Sequence, residues 1–238
     1  MKKAAKVMFK ILRLIFAVLV PIAAAVMIVS AVRGYNMHRN AVEKCPPAQM
    51  AQLLRGEDFV RIEELPEFYI KAVLCAEDKR FYTHRGVDPK AVVRAVAHDL
   101  KNLSPEQGGS TITQQLAKNF YYTQEKRLER KFAEVFTAFD IEEEFSKDDI
   151  FELYVNSIYF GDGYYGISAA SEGYYGKAPD QLTDYECAML AGIPNAPSAY
   201  SPTKNSDLAE QRLKQVLDRM TECGEITEER AAAIVREN

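Results

Sequence analysis

An apolar run near the start of the chain limits its folds more than any other feature. Residues 14–32 carry no charged side chain and are almost wholly apolar. As a helix these 19 residues would span roughly 30 Å, the thickness of the hydrocarbon layer of a bilayer. A cleaved signal peptide is the alternative, but the run is long for one and no clear small-x-small cleavage site follows it. We therefore predict an uncleaved transmembrane anchor.

The charges on either side of this run predict its orientation. Positive charge tends to stay on the cytoplasmic side of a membrane, so we expect residues 1–13 in the cytoplasm and the remainder outside. Arg33, Arg39 and Lys44 on the far side reduce the contrast. The positive charges that precede the run are Lys2, Lys3, Lys6, Lys10 and Arg13.

The remainder of the chain is acidic. The whole sequence has 30 basic and 34 acidic residues, and without the five N-terminal charges 25 basic residues remain, for a net charge of −9. This balance argues against a general nucleic-acid or anionic-lipid binder, so we expect no nucleic-acid partner. An anionic ligand would need a local basic cluster.

The cysteines do not form a metal-binding pattern. Cys45, Cys75, Cys187 and Cys223 are far apart, with no CxxC pair and no neighbouring histidine, which argues against a zinc site. A domain outside the membrane could nevertheless contain disulfide bonds. Cys75 and Cys187 fall within apolar helical stretches, which favours buried free thiols.

The chain after the anchor predicts a mainly α fold, because no sustained alternation of apolar and polar residues indicates strands. Apolar positions from Leu65 predict a helix that ends near Glu77, and residues 88–100 and 206–223 predict two more. Residues 159–176, rich in Gly and Tyr, and residues 193–202, with three prolines, are predicted as ordered loops. Capping boxes predict three further helix starts, at Thr111 with Gln114, Ser146 with Asp149 and Thr183 with Glu186.

These patterns divide the chain into four parts. Residues 1–13 form a cytoplasmic N-terminus and residues 14–32 the transmembrane anchor. Residues 33–57 are predicted as a linker that is polar and contains Pro46 and Pro47. Residues 58–238 form the globular domain.

Three polar segments of this domain are candidates for chemistry. Glu77 ends an apolar helix, where a general base or a carboxylate paired with nearby Lys and Arg would both fit. Residues 108–119 place a glycine turn before a helix whose free N–H groups suit an anion, with Lys118 two turns along. The third segment is a basic cluster formed by Lys126, Arg127, Arg130 and Lys131, with Glu134 one turn from Arg130. The alternative to a ligand site here is a solvated helix face with an ion pair worth about 0.3–0.5 kcal/mol.

The order of five segments resembles the glycosyltransferase family 51 domain of penicillin-binding proteins and monofunctional transglycosylases. The resemblance covers roughly residues 65–202. The segments are residues 77–86 (family pattern EDxxFxxHxG), 109–119 (GxSTITQQxxKN), 130–134 (RKxxE), 147–161 (KxxILExYLNxxYFG) and 192–202 (GIPNAPSAYSP). Val155 replaces the usual Leu, and Lys126 stands where members often have Arg, which loses the planar fork of a bidentate phosphate contact.

The resemblance implies a lysozyme-like, two-lobed fold and an enzyme of the bacterial cytoplasmic (inner) membrane that polymerises lipid II into β-1,4-linked glycan. Undecaprenyl diphosphate would leave with inversion of the anomeric centre. Glu77 would be the general base, and Glu134 would hold a divalent cation, Mg²⁺ or Mn²⁺, or position the basic side chains. Lys118, Lys126 and Arg130 would stabilise the diphosphate. The residues that would line the groove or fix the motifs are Ser110, Thr111, Gln114, Gln115 and Asn156.

Further expectations concern partners and the membrane. The chain ends at Asn238 without a Ser-x-x-Lys transpeptidase domain, so we predict no peptide crosslinking. Other cell-wall synthesis proteins are expected partners beside lipid II, the growing glycan and the bilayer. Residues 87–103 would either dip into the membrane interface, with Val87, Val92, Val93, Val96 and Leu100 toward lipid, or face the core.

Two other functions compete with this interpretation. A lysozyme-like hydrolase or lytic transglycosylase would share the fold and a glutamate but cut glycan. Such an enzyme has no need of the diphosphate-facing segments at residues 109–119 and 130–134. A non-catalytic scaffold that binds lipid II is the second, and the presence of both Glu77 and Glu134 argues against it.

Overall fold

The computed structural model describes the backbone of residues 2–102, 108–123 and 127–237, and the side chains of Lys10, Arg13 and residues 16–95, 108–123 and 127–237. Within these ranges the chain has helices and no strand, which confirms the mainly α prediction. The helices are α1 (Lys2–Lys44), α2 (Pro47–Leu54), α3 (Glu67–Glu77), α4 (Pro89–Asn102), α5 (Ile112–Tyr121), α6 (Leu128–Glu144), α7 (Lys147–Ser157), α8 (Ile167–Tyr175), α9 (Asp184–Gly192), α10 (Ser206–Cys223) and α11 (Glu228–Arg236).

The predicted anchor lies inside α1. The stretch Phe16–Lys44 is long and apolar enough to cross a membrane, and only 6% of its most apolar window is buried within the structure. The helix does not end at residue 32 but continues to Lys44 and packs against α6. The segment predicted as a linker, residues 33–57, is therefore largely helical, because α6 offers a packing surface to α1 and α2 follows directly.

Close packing joins the end of α1 to α6. At Gly34 a β-carbon would lie 2.5 Å from both the carbonyl oxygen of Glu129 and the β-carbon of Phe132, so only glycine allows this approach. One turn further, the buried His38 Nδ1 lies 3.0 Å from Thr137 Oγ1, which is also 2.5 Å from the Tyr122 hydroxyl. Apolar and polar contacts together hold the anchor helix on the domain.

The predicted helix ends are confirmed where they rest on local contacts. All three capping boxes form, at Thr111, Ser146 and Thr183. Gly224 ends α10 with φ 78°, in the left-handed region that favours glycine. These signals are reliable because both partners of a cap lie three residues apart in sequence.

The predicted loop at residues 159–176 is wrong in its second half, which forms α8. Gly166 and Gly176 flank the helix with φ 81° and 64°, and Ile167 and Ala170 are buried in the core. The prediction failed because the many Gly and Tyr residues of this segment are typical of loops. Within residues 193–202 the regular structure is a 3₁₀ turn at Ile193–Asn195.

Two groups of helices form the core of the domain. In one, α3 packs against α9 and α10, and in the other α5 packs against α6 and α7. Ile112 and Leu116 of α5 and Tyr154 of α7 are completely buried. This arrangement brings the last residue of α3 beside α5.

Candidate active site

A cleft opens where α3, α5 and α10 meet. It consists of two adjoining cavities of about 380 and 390 Å³. Glu77 lies in the first cavity and Tyr159 and Tyr165 line the second. The residues that line both cavities are Gln115, Lys118, Pro194 and Asn195.

Glu77 is held in this cleft by one of its carboxylate oxygens. Its side chain is 9% exposed, and Oε2 accepts a 2.7 Å hydrogen bond from Gln115 Nε2. The Tyr154 hydroxyl donates to Gln115 Oε1 at 3.4 Å and so fixes the orientation of the amide. Oε1 is buried without a hydrogen-bond partner among the described residues. As a carboxylate oxygen without a partner, it retains its capacity to accept a proton or a hydrogen bond.

Arg212 of α10 faces the same carboxylate and was missed in the sequence. Its Nη2 lies 3.7 Å from Glu77 Oε1, and its side chain is only 15% exposed. Arg212 Nε donates to the carbonyl oxygen of Gly192 at 3.3 Å, and the guanidinium lies 5.8 Å from the centre of the Tyr200 ring. The signal in the sequence was an arginine on the apolar stripe of α10, between Ala209 and Val216.

The residue after Glu77 ties α3 to the start of α5. Asp78 accepts hydrogen bonds from His84 Nε2 at 2.8 Å and from the Ile112 backbone N–H at 3.1 Å. Thr111 Oγ1 donates to the Gly86 carbonyl oxygen at 2.6 Å. Thr111 and Gln114 are both buried and complete the capping box. These contacts fix the motifs to each other.

The expected anion site at the N-terminus of α5 is therefore already used within the protein. The N–H of Ile112 binds the Asp78 carboxylate, and the N–H groups of Thr111 and Gln114 bind within the capping box. A helix end whose N–H groups have partners has little left for a second anion. The cationic side chains that line the first cavity are Lys79, Arg94, Lys118, Arg212 and Arg219, and the basic residues of α6 lie next to it.

Glu134 organises the cations next to the cleft. It is 1% exposed, and its Oε1 accepts from Arg130 Nη1 at 2.5 Å while its Oε2 accepts from Lys131 Nζ at 2.9 Å. Lys131 Nζ also donates to Ser110 Oγ at 2.7 Å. Ser110 lines the cleft, so the cluster reaches the cleft wall through it.

Lys118 connects this cluster with Glu77. Burial lowers the pKa of its ammonium group, the positive charges of Arg130 and Lys131 lower it further, and Glu134 and Glu77 oppose the change. The side chain lines both cavities. A partly desolvated cation at this place can stabilise negative charge that develops on a ligand.

The described residues do not form a metal cage of their own. Within residues 16–95, 108–123 and 127–237 no group of three or more His, Cys, Asp or Glu side chains is placed to hold an ion. Both oxygens of Glu134 already accept hydrogen bonds from Arg130 and Lys131. These two hydrogen bonds fit the second role expected for Glu134, which is to position basic side chains.

Two other predicted site residues lie away from the cleft or outside the description. Asn156 joins α7 to the backbone of Val60. Its Oδ1 accepts from the Val60 N–H at 2.9 Å, and its Nδ2 donates to the Val60 carbonyl oxygen at 2.8 Å. The same Nδ2 donates to the Glu152 carbonyl oxygen at 2.9 Å, so the amide serves packing and not the groove. Lys126 lies outside the described residues.

The valines of α4 are described in part. Val93 is 69% exposed and Val92 is 41% exposed, as the membrane-facing prediction requires. The side chains of Val96 and Leu100 lie outside the description.

Comparison with known proteins places this site in a family. The family model described as Transglycosylase matches residues 48–221. The chain belongs to this family. The predicted membership of glycosyltransferase family 51 is confirmed. The match begins at residue 48, ten residues before the predicted start of the domain, and includes all of α2 except its first residue.

Relatives of this transglycosylase chain fall into two size classes. It is 49% identical over 172 residues to a protein of Cupriavidus necator named as a transglycosylase, covering 71% of this chain and 73% of that protein. It is 45% identical over 178 residues to penicillin-binding protein 1A of Pseudomonas aeruginosa, covering 75% of this chain. It is 46% identical over 170 residues to penicillin-binding protein 1A of Escherichia coli, covering 71% of this chain. The chain spans only 22% and 20% of the length of these two penicillin-binding proteins.

Proposed function

We propose that the chain is a peptidoglycan glycosyltransferase that polymerises lipid II into β-1,4-linked glycan strands and releases undecaprenyl diphosphate. The observation that carries this proposal is the side chain of Glu77, which lines one cleft together with Lys118 and whose Oε1 has no hydrogen-bond partner among the described residues. A base and a cation on one cleft suit a transfer in which one hydroxyl loses a proton and a diphosphate leaves.

The proposed reaction uses this base and this cation. Glu77 Oε1 accepts the proton of the acceptor 4-hydroxyl, whose oxygen attacks the anomeric carbon of the lipid-linked donor. The bond from that carbon to the diphosphate oxygen breaks, and its electron pair leaves with the diphosphate. Attack from the face opposite an α-linked diphosphate yields a β-linked product, so the centre is inverted in one step.

The remaining groups act on the charges of this reaction. Lys118 and Arg130 stabilise the departing diphosphate, and Glu134 keeps Arg130 and Lys131 in place. The positive charge of Arg212, with Nη2 3.7 Å from Glu77 Oε1, favours the ionised form of this carboxylate. A divalent cation, Mg²⁺ or Mn²⁺, remains a prediction; when bound it would neutralise diphosphate oxygens, for which cations with oxygen ligands are suited.

The anchor fits a lipid-linked substrate. We propose that α1 crosses the cytoplasmic membrane once, with residues 1–13 in the cytoplasm and the catalytic domain outside, because the basic residues precede the apolar run. Enzyme and substrate would then be confined to the same surface. Binding to other cell-wall synthesis proteins and the absence of peptide crosslinking stay predictions.

A gel assay with fluorescent lipid II and divalent cation tests the proposed reaction. The full chain should make polymer that muramidase digests, and Glu77→Gln should make none, because glutamine cannot accept the proton. The matched control is Glu67→Gln, at the other end of α3, where the side chain is 82% exposed; this variant should retain activity. Turnover by Glu77→Gln would refute the role of the base.

The same assay separates the competing functions. A lysozyme-like hydrolase would make no polymer and would shorten preformed glycan strands. A non-catalytic scaffold would bind lipid II without converting it, and Glu77→Gln would then bind as the unmodified chain does.

A further inference from the structure

Two cysteines lie at the wall of the active-site cleft. Cys75 is two residues before Glu77 in α3, and Cys223 is the last residue of α10. Both line the cavity that contains Glu77, and both are free thiols in the structure and partly buried. The two remaining cysteines, Cys45 and Cys187, do not line this cavity as it is described.

The packing of the two helices brings these thiols together. Helices α3 and α10 are in direct contact, and Lys71 of α3 forms an ion pair with Glu225, just after α10, at 3.2 Å. Burial raises the pKa of the Cys75 thiol, and the neighbouring Cys223 thiol raises it further. Lys71 lies one turn before Cys75 and Glu225 lies two residues after Cys223, so the ion pair brings together the two segments that carry the cysteines.

We propose that Cys75 and Cys223 form a disulfide bond that joins α3 to α10 at the edge of the cleft. The proposal rests on the proposed location of the domain outside the cytoplasmic membrane, where disulfides form and persist. It assigns these two residues a covalent role that neither the motifs nor the proposed reaction requires.

The bond forms by thiol–disulfide exchange with an oxidised dithiol protein of that compartment. The Cys223 thiolate attacks one sulfur of the oxidant and forms a mixed disulfide, while the other oxidant sulfur leaves as a thiol. Cys75 then loses its proton and attacks Sγ of Cys223, which expels the second sulfur of the oxidant. Two protons and two electrons leave the cysteine pair, and the oxidant is reduced to its dithiol.

The cross-link would fix the geometry of the site. Helix α3 ends with Glu77, and α10 carries Arg212, whose guanidinium faces Glu77 Oε1. A bond between the C-terminal ends of these two helices limits their movement relative to each other. It also closes a long loop of the chain, which restricts the unfolded state and so stabilises the fold.

Differential alkylation of the full chain, extracted from membranes without reductant, tests the bond directly. The protein is denatured and alkylated, then reduced and alkylated with a second reagent, and the peptides are analysed by mass. We expect Cys75 and Cys223 to carry the second label and to appear as one linked peptide without reduction, while Cys45 and Cys187 carry the first label. First-label modification of both Cys75 and Cys223 would overturn the proposal.

Cysteine variants supply a second measurement. The unmodified chain should melt at a lower temperature after reduction, and Cys75→Ser or Cys223→Ser should each abolish this difference. Cys187→Ser is the control, because this buried thiol, whose pKa burial raises to about 12, would alter stability but preserve the effect of reductant. An equal reductant effect in Cys75→Ser and the unmodified chain would refute the bond. Polymer formation is scored separately on gels, so failure of the disulfide and failure of the proposed reaction are distinguishable.

Discussion

Replacement of Glu134 by glutamine should destabilise the domain strongly although the two side chains have almost the same shape. The change leaves Arg130 and Lys131 without the carboxylate that accepts from both. Loss of one partner of a buried ion pair costs about 3–5 kcal/mol. Lys131 is 43% exposed and can be hydrated, whereas Arg130 is 14% exposed. Because Lys131 can be hydrated, we expect a smaller loss of about 2–3 kcal/mol, below the range for a fully buried pair.

Thermal unfolding in detergent, followed by circular dichroism, measures this loss. For a domain of this size each kcal/mol lowers the midpoint by roughly 2–4 °C, so the expected decrease is about 4–12 °C. Glu129→Gln on the same helix is the matched control, because its pair with Arg33 is 3.6 Å long and the arginine is 69% exposed. Screening by water limits such a pair to about 0.5 kcal/mol, or roughly 1–2 °C. Equal midpoints for the two variants would show that Glu134 does not hold the cluster together.

Four other changes test separate parts of the structure. Asn156→Ala should lower the free energy of unfolding by about 1–3 kcal/mol, because Val60 loses its partners; a raised KM with unchanged stability would instead place Asn156 in the groove. Lys118→Arg should move the alkaline limb of the pH–rate profile to higher pH. Burial lowers the pKa of Lys118, so the lysine loses its charge as the pH rises through its pKa, whereas arginine stays charged. An unmoved limb would mean that another group controls it. Gly34→Ala should lower the free energy of unfolding by about 1–3 kcal/mol and so lower the unfolding midpoint. Gly56→Ala is the control and should leave the midpoint unchanged, because nothing lies within 4 Å of the added carbon. Similar midpoints for the two variants would contradict the close packing of α1 on α6. Chelation of divalent cations by EDTA should stop polymer formation and Mg²⁺ should restore it, and full activity in EDTA would exclude the predicted requirement.

The sequence alone predicted those features that depend on neighbours along the chain. The anchor follows from the length of one apolar run, and each capping box from two residues three positions apart. Family membership followed from five short segments in order, and the match to residues 48–221 confirms it. Helix α8 was not predicted, because the features that define it are the glycines at its two ends and its buried residues, and not its composition.

Only the tertiary structure decided which residues meet at the site. Arg212 reaches Glu77 because α10 packs against α3, and the same packing places Cys223 and Cys75 on the wall of one cavity. Asp78 takes the N–H of Ile112 that the sequence offered to an anion, and Asn156 binds Val60 instead of a ligand. The physical reason is that a local pattern determines which face of a helix is apolar, whereas the partner of a polar group depends on how separate helices cross.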